Sequence, residues 1–268
     1  MAIMDEIFKR AILVLVWLGA RRDPESTALC HRGIPPYPAS PIRHHFTASP
    51  DWKKPDHRRE ILQILSRPYW DRLWIIQEFL LAREILLFYG DDHFWGQDLF
   101  RTLCELQNTT HHDTSASKLV YAKFSKETDK YRLFGQPQSS LKILKDLVLE
   151  WRFQKCQEPR DKLFAFMGLA QHMSAVGDDI MVKPDYEKPL EQVFAEFVSH
   201  QIALEERVPV KVNDDPLRLD KECQIIGLQV LGLDPNNDLI KMALMRMWDL
   251  TEWRLREINR MLEMQRLF

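Results

Sequence analysis

A short aromatic segment at residues 67–78, with the sequence RPYWDRLWIIQE, carries the densest set of side chains that could do chemistry. The pattern predicts a helix over residues 71–82, and helical spacing then places Trp70, Trp74 and Glu78 on one face. A carboxylate would therefore lie against two indoles on an otherwise apolar helix.

The surroundings expected for Glu78 restrict its charge. Leaving an ion buried and unpaired costs several kcal/mol, to order of magnitude, so Glu78 should pair with Arg67 or Arg72, or stay neutral with a raised pKa. Two interpretations stay open. Either Gln77 and Glu78 satisfy backbone groups or an arginine in a core helix, which the sequence favours, or Glu78 is a catalytic carboxylate.

Two further segments combine charged and aromatic residues. In the first, EPRDKL at 158–163, Asp161 suits the first turn of a helix and Arg160 is placed to bind a carboxylate elsewhere. The second, KPDY at 183–186, predicts an extended dipeptide that leads through a turn into a helix. Structural roles suffice for both segments.

No metal or cofactor site is expected. The sequence contains no G-x-S-x-G, H-E-x-x-H, P-loop or dinucleotide motif. Adjacent histidines such as His44 and His45 point apart on a regular element, so they make poor zinc ligands. The cysteines show no C-x-x-C pair and predict reduced core thiols. They are Cys30, Cys104, Cys156 and Cys223.

Composition favours an ordinary globular protein and excludes several classes. The chain has 268 residues, 45% hydrophobic and 28% charged, and a mean hydropathy of −0.34 argues against a polytopic membrane protein. Its 37 basic and 39 acidic residues give a net charge of −2. No overall field is therefore available to hold nucleic acid or an anionic membrane, and we expect neither as a partner.

The amino-terminal apolar run at residues 11–20 resembles the core of a signal peptide. Asp5 and Glu6 argue against that interpretation, as do the basic residues Arg21 and Arg22 directly after the run. The sequence favours a buried strand in a cytoplasmic protein.

The hydrophobic pattern predicts an α/β region followed by a mainly helical one. Strands covered on both faces are expected at 12–18 and 85–89, with a proline-rich loop at 21–55 after the first. Further along the chain we expect a helix that starts after Pro159 and is capped by Gly168, and another helix after Pro189. A strand at 225–233 and a long amphipathic helix at 238–268 are expected to follow.

In this order, these segments resemble the fungal heterokaryon-incompatibility (HET) domain family. Its members show V-x-W-L-G, R-x-W-x-R-x-W-x-x-Q-E, a strand closed by a pair such as C-G, then R-D-K with a later G-L, and P-D-Y. The matching residues here are 14–19, 67–78, 89–90, 160–169 and 184–186. The resemblance covers about residues 10–205, with a V-x-G-like strand at 226–233.

The resemblance also marks the domain organisation. The family's upstream L-S-Y-x-W-G strand is missing, so we expect an amino-terminally truncated domain, with a remnant of a TIR-like parallel sheet. The predicted parts are the end of the HET-like α/β domain at 1–107, the helical region at 108–205, and a short strand with a long helix at 206–268.

The family implies nonself recognition coupled to programmed cell death. We expect the module to act through self-association with HET-type domains. By analogy with TIR domains that hydrolyse NAD, the resemblance makes Glu78 a candidate catalytic residue with NAD as substrate, and Trp74 a stacking surface for nicotinamide. A non-functional remnant is the third alternative. The family-motif residues are Arg67, Trp70, Arg72, Trp74, Gln77, Arg160, Asp161, Asp185 and Tyr186.

Overall fold

The structure is a computed structural model that describes residues 4–20, 55–90, 92–107, 114–124, 140–173 and 184–266. The chain forms two compact units. The sheet unit comprises Ile3–Leu133, and the helical unit comprises Phe134–Phe268 with Met1–Ala2. The predicted loop at 21–55 lies almost entirely outside the described residues, and the predicted three-part division stays a prediction.

A small mixed sheet forms the centre of the sheet unit. Strand β1 (Leu13–Trp17) pairs in parallel with β2 (Glu84–Tyr89), and β3 (Asp92–Trp95) pairs antiparallel with β2, giving the order β1-β2-β3. Gly90 has a φ of 61° and makes the tight turn between β2 and β3 possible. Both strands predicted from apolar runs are confirmed, whereas β3 was not predicted.

Strand β1 is covered on one face, so the prediction of a strand buried on both faces is wrong. Val14 and Val16 point into the core, whereas Leu15 is 61% exposed and Trp17 is 60% exposed. Side chains alternate between the faces of a strand, and an unbroken apolar run cannot tell which face is covered.

The helices of the sheet unit depart from the sequence pattern at one point. The helix predicted over 71–82 is present but begins only at Ile75, because Arg72 is extended with φ −78° and ψ 138° and separates a 3-10 turn from that helix. The elements are α1 (Met4–Arg10), α2 (Pro55–Leu65), the 3-10 turn (Pro68–Asp71), α3 (Ile75–Leu81), α4 (Gly96–Gln107) and α5 (Ser115–Phe124).

The helical unit consists of stacked helices in its described part. Helix α6 packs on α7, and the long α10 packs on α8 and α9. The helices are α6 (Ser140–Glu150), α7 (Asp161–Met173), α8 (Leu190–Glu206), α9 (Leu217–Gln224) and α10 (Asp238–Arg266). The helix expected after Pro189 is confirmed, but Gly168 lies inside α7 rather than capping it.

Residues predicted as a strand at 225–233 are helical instead. Ile225–Val230 form a π-helical segment that continues α9 directly. Gly227 lies against the ring of Phe194, where a Cβ atom would be only 2.6 Å from the ring. Gly232, with a φ of 68°, ends the segment, and the Leu233 amide donates to the Gly227 carbonyl.

The cysteines are free where the structure describes them, but only one is a core thiol. Cys223 is buried, Cys156 is half-buried and Cys104 is exposed, while Cys30 lies outside the described residues. None of the described helices is both long enough and apolar enough to cross a membrane.

Candidate functional site

The backbone of residues 67–78 decides which motif side chains meet. Trp70 belongs to the 3-10 turn, and Trp74 directly precedes α3. The Glu78 amide donates to the Trp74 carbonyl at 3.3 Å, so these two residues lie one helical turn apart. Because Arg72 is extended between the two elements, Trp70 does not share a helix with them.

Trp70 is an anchor in the core of the sheet unit. It is 1% exposed, and its indole Nε1 donates to the carbonyl oxygen of Ile64 at 2.8 Å. Its ring contacts Tyr69 and Phe79 edge to face, at centroid distances of 5.1 and 5.6 Å. The indole therefore fixes the 3-10 turn onto the end of α2 and onto α3.

Arg67 joins the ends of the two parallel strands to the chain after α2. Its Nη2 donates to the carbonyl oxygen of Ala20 at 2.5 Å, and its guanidinium carbon lies 4.7 Å from the centre of the Tyr89 ring. The Tyr89 hydroxyl donates to Gln63 Oε1 at 2.9 Å. Arg67 is thus committed to the strand ends, and pairing with Arg67, one of the three alternatives expected for Glu78, is not observed.

Glycines at both strand ends supply the backbone conformation that this arrangement needs. Gly19 has a φ of 92°, and a Cβ atom there would lie 3.8 Å from the Arg67 guanidinium. The Gly90 amide donates to the Gly19 carbonyl at 2.9 Å and holds the ends of β1 and β2 together. Positive φ favours glycine at both positions.

Glu78 keeps a perturbed carboxyl group. The Tyr69 hydroxyl donates to Glu78 Oε1 at 3.1 Å. Burial raises the pKa of Glu78, while the Tyr69 hydrogen bond and the Arg72 charge oppose the rise. Burial, followed by the neighbouring carboxylate, also raises the pKa of Tyr69. Among the alternatives expected for Glu78, these surroundings favour the raised pKa, and Arg72 acts through its charge.

Gln77 lies on the buried side of α3. Its side chain is 3% exposed, in contrast to half-buried Glu78 and Trp74. Within residues 74–78, Trp74 and Glu78 are therefore the side chains that a small molecule or a partner surface could reach.

The RDK and PDY segments form a second cluster, in the helical unit. Arg160 Nη1 donates to the carbonyl oxygen of Tyr186 at 2.6 Å, and the Tyr186 hydroxyl donates to Asp161 Oδ1 at 2.6 Å. The Tyr186 ring also contacts Phe164 edge to face at 5.0 Å. Residues 25 and 26 positions apart are thereby locked together at the start of α7.

The remaining members of this cluster shape its backbone. Arg160 Nε lies 3.5 Å from Glu158 Oε1, and Asp185 Oδ1 accepts the Glu187 amide at 2.9 Å in a local turn. Burial raises the pKa of Tyr186, and its hydrogen bond to Asp161 raises it further. Both segments serve the fold here, as the sequence predicted.

Each unit holds its own group of motif residues. Arg67, Trp70, Arg72, Trp74, Gln77 and Glu78 lie in the sheet unit, and Arg160, Asp161, Asp185 and Tyr186 lie in the helical unit. Sequence reasoning missed Tyr69 and Tyr89, which hold Glu78 and Arg67. Tyr69 stands inside the motif, but nothing in the spacing joins it to a residue nine positions later.

The described residues contain no group of three or more histidine, cysteine, aspartate or glutamate side chains that could hold a metal ion.

The amino-terminal part of the chain matches a known protein family. The family model "Heterokaryon incompatibility protein (HET)" matches residues 1–78. Residues 1–78 are therefore similar to the HET family. The matched HET segment contains β1, the side chains of Arg67 and Trp70, and Glu78 at its end. No match was found among curated proteins or solved structures.

The HET match connects the chain with heterokaryon incompatibility. The second cluster, around Asp161 and Tyr186, lies beyond the matched residues. A fold resemblance to TIR domains stays a prediction.

Proposed function

We propose that this protein is a cytoplasmic nonself-recognition module whose activation leads to programmed cell death, and that it acts by self-association with HET-type domains. The HET match over residues 1–78 carries this proposal. Within the described part of that segment, the motif residues Arg67 and Trp70 donate to the main-chain carbonyls of Ala20 and Ile64. Neither nucleic acid nor a membrane is among the proposed partners.

Contacts in the sheet unit support a signalling module. Arg67 and Trp70 bond to main-chain carbonyls, so their role is to hold the strand ends and the 3-10 turn. The same sheet leaves Leu15 and Trp17 of β1 exposed. An exposed apolar strand face is typical of protein contact surfaces.

The proposal is tested by inducible expression of the full chain in a fungal host, with viability followed over time and protein amount measured by immunoblot. We expect the wild type to reduce viability. Trp70→Ala should abolish the effect because it removes the core anchor, and Arg59→Met, on the exposed side of α2, should retain it. A wild type that accumulates without loss of viability would contradict cell-death signalling.

NAD hydrolysis is the second candidate function, and the surroundings of Glu78 favour it. A half-buried carboxyl group, held by the Tyr69 hydroxyl, lies one helical turn from the Trp74 indole. An ionised Glu78 could stabilise the oxocarbenium-like transition state while Trp74 stacks on nicotinamide. The bond between nicotinamide and ribose breaks, nicotinamide leaves with the electron pair, and water adds to the ribose carbon with release of a proton.

NAD consumption by the purified full chain, followed by chromatography of nicotinamide, tests this second function. Glu78→Gln should abolish turnover, whereas Glu105→Gln, at an exposed position of α4, should leave it unchanged. Absence of turnover in the wild type would refute catalysis, and a viability loss without turnover would leave the signalling role standing alone.

A further inference from the structure

Helix α10 (Asp238–Arg266) has one face packed on the helical unit and one face turned outward. The inward face packs on α8 and α9 through buried residues such as Ile240 and Met247. Arg254 anchors this side, donating to the Glu205 carbonyl at 2.9 Å and pairing with Asp214 at 3.1 Å. These contacts fix the rotation of α10 about its axis, so the face opposite α8 and α9 points away from them.

Large apolar side chains lie on that opposite face. Met242 is 61% exposed and Trp253 is 47% exposed, and Met245 and Trp248 widen the exposed apolar area on one side. Leaving such side chains in water forgoes about 1.5–3 kcal/mol of burial for each large residue. Their concentration on one helix marks a protein contact surface.

The spacing defines a seam of five positions, which we call the α10 seam. Its residues alternate at intervals of four and three positions, which is the repeat by which one helix lies along another. They are Met242, Arg246, Asp249, Trp253 and Arg256. At 1.5 Å per residue the seam is about 21 Å long.

Charge complementarity within the α10 seam identifies the occupant. In an antiparallel pair centred between Met247 and Trp248, Arg246 faces Asp249 of the second copy, and Met242 faces Trp253 of the second copy. Two-fold symmetry makes each contact twice. A parallel pair would instead place Arg246 against Arg246 and Asp249 against Asp249, which is repulsive.

We propose that α10 pairs antiparallel with α10 of a second copy of this chain, with reciprocal Arg246 to Asp249 ion pairs between the two Met242 to Trp253 contacts. The proposal rests on the self-association in the proposed function and gives it a partner and a register. Arg246 Nη1 donates to Ser199 Oγ at 3.3 Å in the single chain, so the exposed guanidinium already lies across the surface of α8.

Sedimentation velocity of the full chain over a concentration series provides the test. We expect a reversible dimer, because one helix pair buries less than a standard interface of about 1,600 Å². Arg246→Asp and Asp249→Arg should each weaken self-association at least about tenfold, since each places like charges opposite one another. Arg59→Asp in α2 and Glu105→Arg in α4 change the charge equally at exposed positions outside α10 and should associate like the wild type.

Mixing the two seam variants identifies the register. The Arg246→Asp and Asp249→Arg chains carry opposite charges at both ion pairs. An equimolar mixture should therefore form heterodimers at the concentration at which the wild type forms its dimer. The double variant Arg246→Asp/Asp249→Arg should likewise regain homodimers. Circular dichroism of each variant verifies that the helices are intact.

The α10 pairing would be refuted by any one of three outcomes. These are a monomeric wild type, single variants that dimerise as well as the wild type, and a mixture of the two variants that fails to associate. The viability assay is read separately. Loss of the dimer with viability loss retained would refute the role of self-association, while an intact dimer with no viability effect would refute cell-death signalling.

Discussion

Replacement of Arg67 tests how the ends of the two parallel strands are held. Arg67→Met keeps most of the alkyl stem and removes the guanidinium, which donates to the Ala20 carbonyl and lies over the Tyr89 ring. A hydrogen bond to a charged donor contributes about 1.5–3 kcal/mol, and a cation over an aromatic ring about 0.5–1 kcal/mol at exposed sites. Arg67 is only half-buried, so the lower ends apply and the expected loss is about 2 kcal/mol.

Hydrogen exchange of peptides from β1 and β2 is the suitable measurement, because the two units need not unfold together. A loss of about 2 kcal/mol corresponds to roughly thirtyfold faster exchange in the most protected amides. Arg67→Lys should give an intermediate value, since an ammonium can bond to one carbonyl but lacks the planar stacking surface.

Arg59→Met is the matched control for Arg67→Met. It removes an exposed guanidinium from α2 in the same unit and should change the opening free energy by less than about 0.5 kcal/mol. Equal exchange rates in both variants would refute the argument that Arg67 holds the strand ends.

Of three further predictions, two concern single hydrogen bonds and the third concerns the titration of Glu78. Trp70→Phe leaves the Ile64 carbonyl without its indole donor and should cost the sheet unit about 2 kcal/mol or more, measured by the same exchange. Tyr186→Phe removes the bond to Asp161 and should cost the helical unit about 1–2 kcal/mol in urea unfolding. Because the folded state raises the pKa of Glu78, this residue's contribution to stability is fully present below its unfolded value near 4.5 and is lost as pH rises through the folded pKa. Glu78→Gln should flatten that part of the stability-against-pH curve, and an unchanged curve would contradict the raised pKa.

Local pattern was enough to locate β1 and β2 but not to determine their surroundings. Runs of branched apolar residues predicted both strands. Strand β3 was missed because a four-residue strand after Gly90 carries too short an apolar pattern to be distinguished from a loop. The prediction of a strand at 225–233 was wrong because a short apolar segment fits a strand or a buried helix equally well.

Local pattern likewise predicted only part of the candidate site. Helical spacing carries through residues 67–78, and only the extended backbone of Arg72 interrupts it. The raised pKa of Glu78 followed from its apolar neighbours, whereas its hydrogen-bond partner, Tyr69, depends on how the 3-10 turn folds back on α3. Long-range contacts of this kind are not encoded in spacing.

The motif residues in both units share a physical role that affects how function can be tested. Arg67, Trp70 and Arg160 each donate to a main-chain carbonyl belonging to another segment. Replacing any of them disturbs the fold, so loss of activity in such variants would not separate a catalytic site from a structural one. Glu78 differs because its carboxyl accepts a side-chain hydrogen bond from Tyr69, and a glutamine Oε1 can accept the same bond, so the fold should tolerate Glu78→Gln. Glu78→Gln and the α10 seam variants are therefore the changes that can separate catalysis from self-association while the fold is retained.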